Sequence, residues 1–240
     1  MILTDELINN IPWVFILSLY AMLITLGTKK LYDVMVSRGM EKNVAIYYDR
    51  KIVHMFAGGI VVLLVPFIFT NKTSDYPYVY PLIIGLILTI FTYIPHKTGK
   101  ILYWLQTKDN RNDVNFCLMW ALIVFILWIL IGDPWIAIIP PSFMAFGDGV
   151  TGIARNAFFK KRTKSAVGNV FMVLICIPLG YFLAGNATPS IPWWGVIAAL
   201  VASFVERYEF GPIDDNVLIS VSATIILYIG FVLGPITNFI

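Results

Sequence analysis

Charge is what this sequence has least of. Asp, Glu, Lys and Arg together make up 13% of its 240 residues, about half the share usual in soluble domains. So little charge cannot keep a folded chain of this size in water, and it also excludes disorder, which needs abundant charge and few apolar residues. Cysteine is nearly absent. Cys117 and Cys176 both fall inside apolar runs with no metal-ligand spacing, so they read as small buried apolar residues and not as a disulfide or a metal centre. The net charge is only +3, too little for a nucleic-acid partner. No clear internal repeat or low-complexity linker is present, and no G-x-x-x-x-G-K-[ST] sequence occurs, so any nucleotide is held without a P-loop.

Apolar residues are what abound, at 59% against about 45–50% in soluble domains. The solvent this implies is lipid. Eight apolar runs can be marked off, at residues 11–28, 52–70, 78–95, 114–131, 134–153, 166–185, 191–206 and 217–240. A membrane helix needs about 20 residues, so each run is long enough to span, the seventh barely. None shows the alternation of an outer-membrane barrel, and a helix satisfies its own backbone in lipid. The expected fold is therefore all-α: a polytopic membrane protein of about eight transmembrane helices, one integral membrane domain over residues 1–240. The first run reads as a span and not as a cleaved signal. Asp5 and Glu6 flank it where a signal carries cations, and no small-residue cleavage site follows.

Orientation follows from lysine and arginine in the connections. Lys29, Lys30, Arg38, Lys42, Arg50 and Lys51 follow the first run, and Lys97, Lys100, Lys108 and Arg111 follow the third. Arg155, Lys160, Lys161, Arg162 and Lys164 follow the fifth, and Arg207 the seventh. Every cation except Lys72 thus lies on one side, which places both termini outside and those connections in the cytoplasm. Two N-x-T sequons, at Asn71 and Asn186, then fall in outside connections.

Polar groups cost about 2.5–3.5 kcal/mol each inside lipid and need a reason to be there. Here they gather at the expected cytoplasmic edge. Arg50, Lys51 and His54 open the second helix and Asp148 closes the fifth; Lys164, Ser165 and Gly168 open the sixth; Glu206 closes the seventh; Asp214, Asp215 and Asn216 open the eighth. Helix ends are polar in general, but Asp148 ends residues 134–147, whose only polar side chain is a serine. Arg50 and His54, four apart, share a helix face. Gly147-Asp148-Gly149-Val150-Thr151-Gly152 matches G-x-G-x-x-G in letters only, since no strand precedes it. Its glycines suit either close backbone approach to a ligand or close helix packing. Lys164 and Ser165 precede a helix start, where free N–H groups and the helix dipole favour phosphate. Asp214 and Asp215 suit helix capping; beside Asp148 and a phosphate site they also suit Mg²⁺, which takes one or two carboxylates plus substrate phosphates.

These elements, in this order, resemble the membrane polyprenol kinase family, which includes dolichol kinase, phytol kinase and CTP-dependent diacylglycerol kinase. Arg50-Lys51-x-x-His54 with Gly58 resembles its R-K-x-x-H element, and Phe146-Gly147-Asp148-Gly149 its G-D-G element. Lys164-Ser165-x-x-Gly168 resembles K-S-x-x-G, and Glu206 followed by Asp214-Asp215-Asn216 resembles E…D-D-N. Thr151, Arg155 and Asn169 depart from the family pattern, as does the absence of a proline after Asn216. The resemblance implies a catalytic core over roughly residues 50–240 that transfers the γ-phosphate of a nucleotide, CTP favoured, to the hydroxyl of an isoprenoid alcohol. It implies Asp148, Asp215 and His54 as catalytic residues. Gly147, Gly149, Lys164, Ser165, Gly168, Arg50 and Lys51 would bind nucleotide, and Asp148, Glu206, Asp214, Asp215 and Asn216 would hold Mg²⁺. The partners are then a lipid alcohol, a nucleotide and the bilayer of a plasma or endoplasmic-reticulum-type membrane, with no nucleic acid. Two other readings share part of the pattern: a CTP-dependent lipid-phosphate cytidylyltransferase, and a small membrane carrier with Asp148 and His54 lining its path.

Overall fold

A computed structural model describes residues 2–69, 76–159, 163–210 and 213–236, with side chains from residue 9 onward. The Asn71 sequon and the cations Lys72, Lys160, Lys161 and Arg162 lie outside these residues. Among the described residues the chain is all-helical, with no strand and one isolated bridge between Phe210 and Ile213. The helices are α1 (Ile2–Ser37), α2 (Lys42–Ile68), α3 (Val79–Thr98), α4 (Asn112–Ile131), α5 (Pro134–Phe159), α6 (Ala166–Gly185), α7 (Pro192–Val205) and α8 (Asp215–Leu233). Seven are long and apolar enough to cross a membrane, as in an integral membrane protein; α7, with 14 residues, is shorter.

Three helices outrun their apolar stretches. α1 has 36 residues, roughly 54 Å at 1.5 Å per residue, well beyond the ~30 Å hydrocarbon core. α2 begins at Lys42, so Arg50, Lys51 and His54 lie within the helix instead of opening it. α5 continues to Phe159, so Asp148 sits within a helix instead of closing one, and Arg155 belongs to α5 and not to the connection after it. Hydropathy marks where lipid ends; a helix stops only where its backbone ladder is interrupted.

α5 is the central pillar, 83% buried along its most apolar stretch against 28% for α3 and α6. Its first turns contain Pro140 and Pro141, which supply no N–H to the ladder, and a wide π-helical turn follows at Phe143–Gly147. α2 carries the same feature at His54–Gly59. Such turns re-aim the side chains beside them and recur at functional sites. The two pack together so tightly that a Cβ on Gly59 would stand 2.6 Å from the Phe146 ring.

The α1–α2, α3–α4, α5–α6 and α7–α8 connections gather at one end of the bundle. There Tyr32, Ala45, Ile46, Trp104 and Leu105 make a small second apolar core. At the other end Asp133 accepts from the N–H groups of Trp135 (2.8 Å) and Ile136 (3.2 Å), and its second oxygen accepts from Thr188 N–H at 2.9 Å. That one carboxylate ties the α4–α5 corner to the α6–α7 corner. α7 runs antiparallel to α6, from Ile191, whose N–H donates to Ala184 O, to Ser203, whose hydroxyl donates to Asn169 O. Midway, Gly180 and Gly195 bring the two backbones so close that a Cβ on Gly195 would collide with the Gly180 carbonyl, the small-residue contact of membrane helix pairs.

Candidate functional site

The end where the four connections gather holds a cleft of about 520 Å³ whose walls include Tyr47, Arg50, Lys51 and His54 of α2, Asp148, Arg155 and Asn156 of α5, Lys164, and Asp215 and Asn216 of α8. That volume lies within the usual 300–1,000 Å³ range of ligand pockets.

One half is built by α2 against α5. Asp148, 1% exposed, accepts from Lys51 Nζ at 2.5 Å, and His54 Nδ1 lies 3.5 Å from the same oxygen. Lys51 and His54 are three apart and so share a face. Arg50 diverges: its Nη1 reaches Asn110 Oδ1 at 3.5 Å. The Lys51 ammonium also lies 5.0 Å above the Tyr47 ring, within cation–π range. The His54 ring stacks on Phe116, with centroids 3.9 Å apart. Gly58 permits this, since a Cβ there would stand 2.7 Å from the Phe116 ring.

The other half joins α5 to the ends of α6, α7 and α8. Arg155 donates to both Glu206 oxygens at 2.7 Å, to Ser165 O at 2.9 Å and to Asn169 Oδ1 at 3.2 Å. Asn169 in turn donates to Glu206 Oε2 (3.2 Å) and to the Ser203 carbonyl. Arg155 and Glu206 are 2% and 1% exposed, a fully desolvated bidentate pair. Lys164 Nζ contacts Asp215 Oδ2 (2.9 Å), Glu206 O (3.0 Å) and Glu209 Oε1 (3.0 Å). Burial works to lower the pKa of Lys164, but the carboxylates of Asp215 and Glu206 outweigh it and hold the ammonium above its ordinary range. Asp148, Glu206 and Asp215 each bring a carboxylate oxygen within 4.8 Å of the other two.

The residues expected from sequence thus converge, but in different offices. Gly147 packs against Met172 and Cys176, Gly149 against Met55, and Gly168 against Thr151 and Arg155; none of the three lines the cleft. Ser165 caps α6, its hydroxyl accepting from Val167 N–H at 3.4 Å while its carbonyl accepts from Gly168 N–H at 3.2 Å. Two N–H groups at that helix start are therefore already satisfied. Asp214 caps α8 through Val217 N–H (3.2 Å) and accepts from Asn115 (3.2 Å) and Asn216 (3.3 Å). Burial raises its pKa against those three donors. Arg155, Tyr47, Asn156 and Glu209 were not anticipated in the site. Arg155 was legible in one respect: it stands seven residues, two helical turns, after Asp148 and therefore on the same face.

Several polar atoms here remain unsatisfied. Arg50 Nε, both His54 ring nitrogens, Asn156 Nδ2 and Asn216 Oδ1 are buried without a hydrogen-bond partner among the described residues, and all five belong to residues of the cleft wall. Comparisons with protein-family models, curated proteins and solved structures find no match to this chain.

Proposed function

We propose that this protein is a lipid kinase, transferring the γ-phosphate of a nucleoside triphosphate, CTP favoured, to the hydroxyl of a membrane isoprenoid alcohol. The observation that carries this reading is the cleft itself. Its carboxylates, lysines and unsatisfied polar atoms face one space at one end of an apolar bundle. Buried polar atoms without partners are costly, and a nucleotide's phosphates and base supply partners of both kinds. Phosphoryl transfer needs positioning and neutralised charge more than covalent help from the protein. The four sequence elements that resemble the polyprenol kinases supply Arg50, Lys51, His54, Asp148, Lys164, Asp215 and Asn216 to these walls.

The donor set fits Mg²⁺ in part. Asp148 and Asp215 are hard oxygen donors from separate helices, the one or two carboxylates that Mg²⁺ takes alongside phosphates. Glu206 fits poorly, because both its oxygens are engaged by Arg155; Asp214 and Asn216 belong to the α8 cap. When bound, Mg²⁺ would offset charge on the phosphate oxygens. Lys51 and Lys164 neutralise Asp148 and Asp215 and are placed to turn to phosphate when nucleotide enters. In the reaction the alcohol oxygen bonds to the γ-phosphorus as the bond to the β-phosphate oxygen breaks. The hydroxyl proton passes to the His54 imidazole, which faces the Asp148 carboxylate at 3.5 Å, and nucleoside diphosphate leaves.

Eight crossings with both termini outside, α7 included as a short span, put the cleft in the cytoplasm beside its nucleotide supply. Purified protein with Mg²⁺, each γ-labelled nucleotide and a panel of polyprenols tests the reading. Label should move to lipid, and Asp148→Asn should cut the rate at least about a hundredfold, the scale of a lost electrostatic contact. Pyrophosphate release with a lipid phosphate would instead establish cytidylyl transfer. A variant with more than half the wild-type rate would remove Asp148 from the chemistry.

A further inference from the structure

A second, narrow cavity of about 40 Å³ lies between α1, α2, α3 and α4, lined largely by Ala21, Val53, Ala57, Leu88, Phe91 and Trp120. A water-sized group needs roughly 10–15 Å³ by this measure, so the slit is about three such groups long. It shares Arg50 and His54 with the polar cleft, so the two spaces meet at those side chains.

The remaining polar groups along the slit are already satisfied. Thr25 Oγ1 donates to Ala21 O at 2.8 Å and Thr92 Oγ1 to Leu88 O at 3.0 Å. Asp113 is engaged by His96 at 3.1 Å and Gln106 at 2.5 Å. Only the mouth is left wanting: among the described residues His54, 3% exposed, has no hydrogen-bond partner for Nε2 and only Asp148 Oδ2 at 3.5 Å beside Nδ1, and Arg50 Nε has none. An apolar slit whose unsatisfied polar atoms lie at its mouth, on His54 and Arg50, matches an apolar chain that ends in one hydroxyl, which both donates and accepts. The width matches a single chain. α3 and α4 touch at Gly85, where a Cβ would stand 2.9 Å from the Ala121 backbone, which closes the slit on that side, and its volume of about 40 Å³ is small for two chains side by side.

We propose that this slit seats the first carbons of a single-chain lipid alcohol, hydroxyl at His54, and excludes two-chain alcohols such as diacylglycerol. The fate of that hydroxyl rests on the kinase reading above; the seat does not. A twenty-carbon isoprenoid alcohol with a diazirine near its hydroxyl would be photolysed with the full-length protein in detergent, and its adducts mapped by peptide mass spectrometry. Phosphate transfer to the same alcohol would be measured in parallel. Adducts are expected on Val53, Ala57, Leu88 or Trp120, reduced at least about fivefold by excess unlabelled alcohol and unchanged by excess dioleoylglycerol. Leu88→Trp, from a half-buried position, should cut them about tenfold and raise the alcohol KM while leaving the nucleotide KM unchanged. Adducts confined to outward-facing side chains, or equal competition by dioleoylglycerol, would overturn the seat even if phosphate is transferred. Specific adducts without phosphate transfer would keep the seat and overturn the kinase.

Discussion

Arg155 and Glu206 set the terms at the scale of single residues. Two opposite charges buried at 2% and 1% exposure with a bidentate contact are expensive to separate. Removing one partner of such a pair typically costs about 3–5 kcal/mol, whereas replacing both with apolar residues is often neutral. Arg155→Met should therefore destabilise the protein by about that much, while Arg155→Met with Glu206→Met should recover most of the loss, as read by thermal unfolding in detergent. The double variant also sorts Glu206's two roles. If the carboxylate only ties α5 to α7, phosphate transfer should stay within about tenfold of wild type; a loss of about a hundredfold, the scale of a catalytic contact, would return it to the metal set. Lys164 makes the complementary case. Its ammonium rests on Asp215 and Glu209, so Lys164→Ala should raise the nucleotide KM and lower turnover, and Lys164→Arg should recover only part, because guanidinium lacks the compact ammonium geometry. A KM unchanged in both variants would confine Lys164 to neutralising the acids. The charged walls of this cleft at Arg50, Lys51, Asp148, Lys164 and Asp215 were legible in sequence, because charges among apolar runs have few reasons to be there. The office of each residue was not. Whether Gly147 meets a ligand or Cys176, and whether Arg155 anchors a loop or pairs with Glu206, depends on which helix lies alongside.

Among the elements, the close packing of α6 on α7 carries the most mechanical weight. α7 delivers Glu206 to Arg155, and its approach is fixed where Gly180 meets Gly195. Any Cβ at Gly195 must push the helices apart, and overpacking of this kind typically costs about 1–3 kcal/mol. Gly195→Ala should lower the unfolding midpoint, and the separation should reach the site as a raised nucleotide KM. An unchanged midpoint and KM would show that α7 reaches the cleft independently of this contact. The helix inventory was readable from hydropathy, since a continuous apolar run in lipid has no other way to satisfy its backbone. The features hydropathy missed lie either where helices leave the apolar zone or at the π-helical turns inside it. The early start of α2, the extension of α5 to Phe159 and the two π-helical turns are made by backbone bonding and by contact between α2 and α5. A side-chain hydropathy pattern does not record either.

For the whole molecule the question is which end faces the cytoplasm, and the short α7 must be kept out of the answer. Its 14 residues rise roughly 21 Å, less than the ~30 Å hydrocarbon core. Yet α7 lies beside α6 from Ala184 to Asn169 and joins the corner at Thr188 to the cleft at Glu206. Whether or not α7 crosses, the α6–α7 corner and the 99–111 connection lie on opposite sides, because the three long helices α4, α5 and α6 separate them. Ser190 and Lys108 are exposed at these two places. In a background with Cys117 and Cys176 changed to Ala, Ser190→Cys should react with an impermeant maleimide added to intact cells. Lys108→Cys should react only after permeabilisation. The expectation rests on the cation bias, in which Lys29, Lys30, Lys97 and Lys108 belong to the cleft end and the described residues of the opposite corners carry none. Labelling of Lys108→Cys in intact cells would invert the molecule, put the cleft away from its nucleotide and leave the kinase reading without a co-substrate. Labelling of both positions from one side would instead mean that α4, α5 and α6 do not all cross, and would take the eight-helix topology with it.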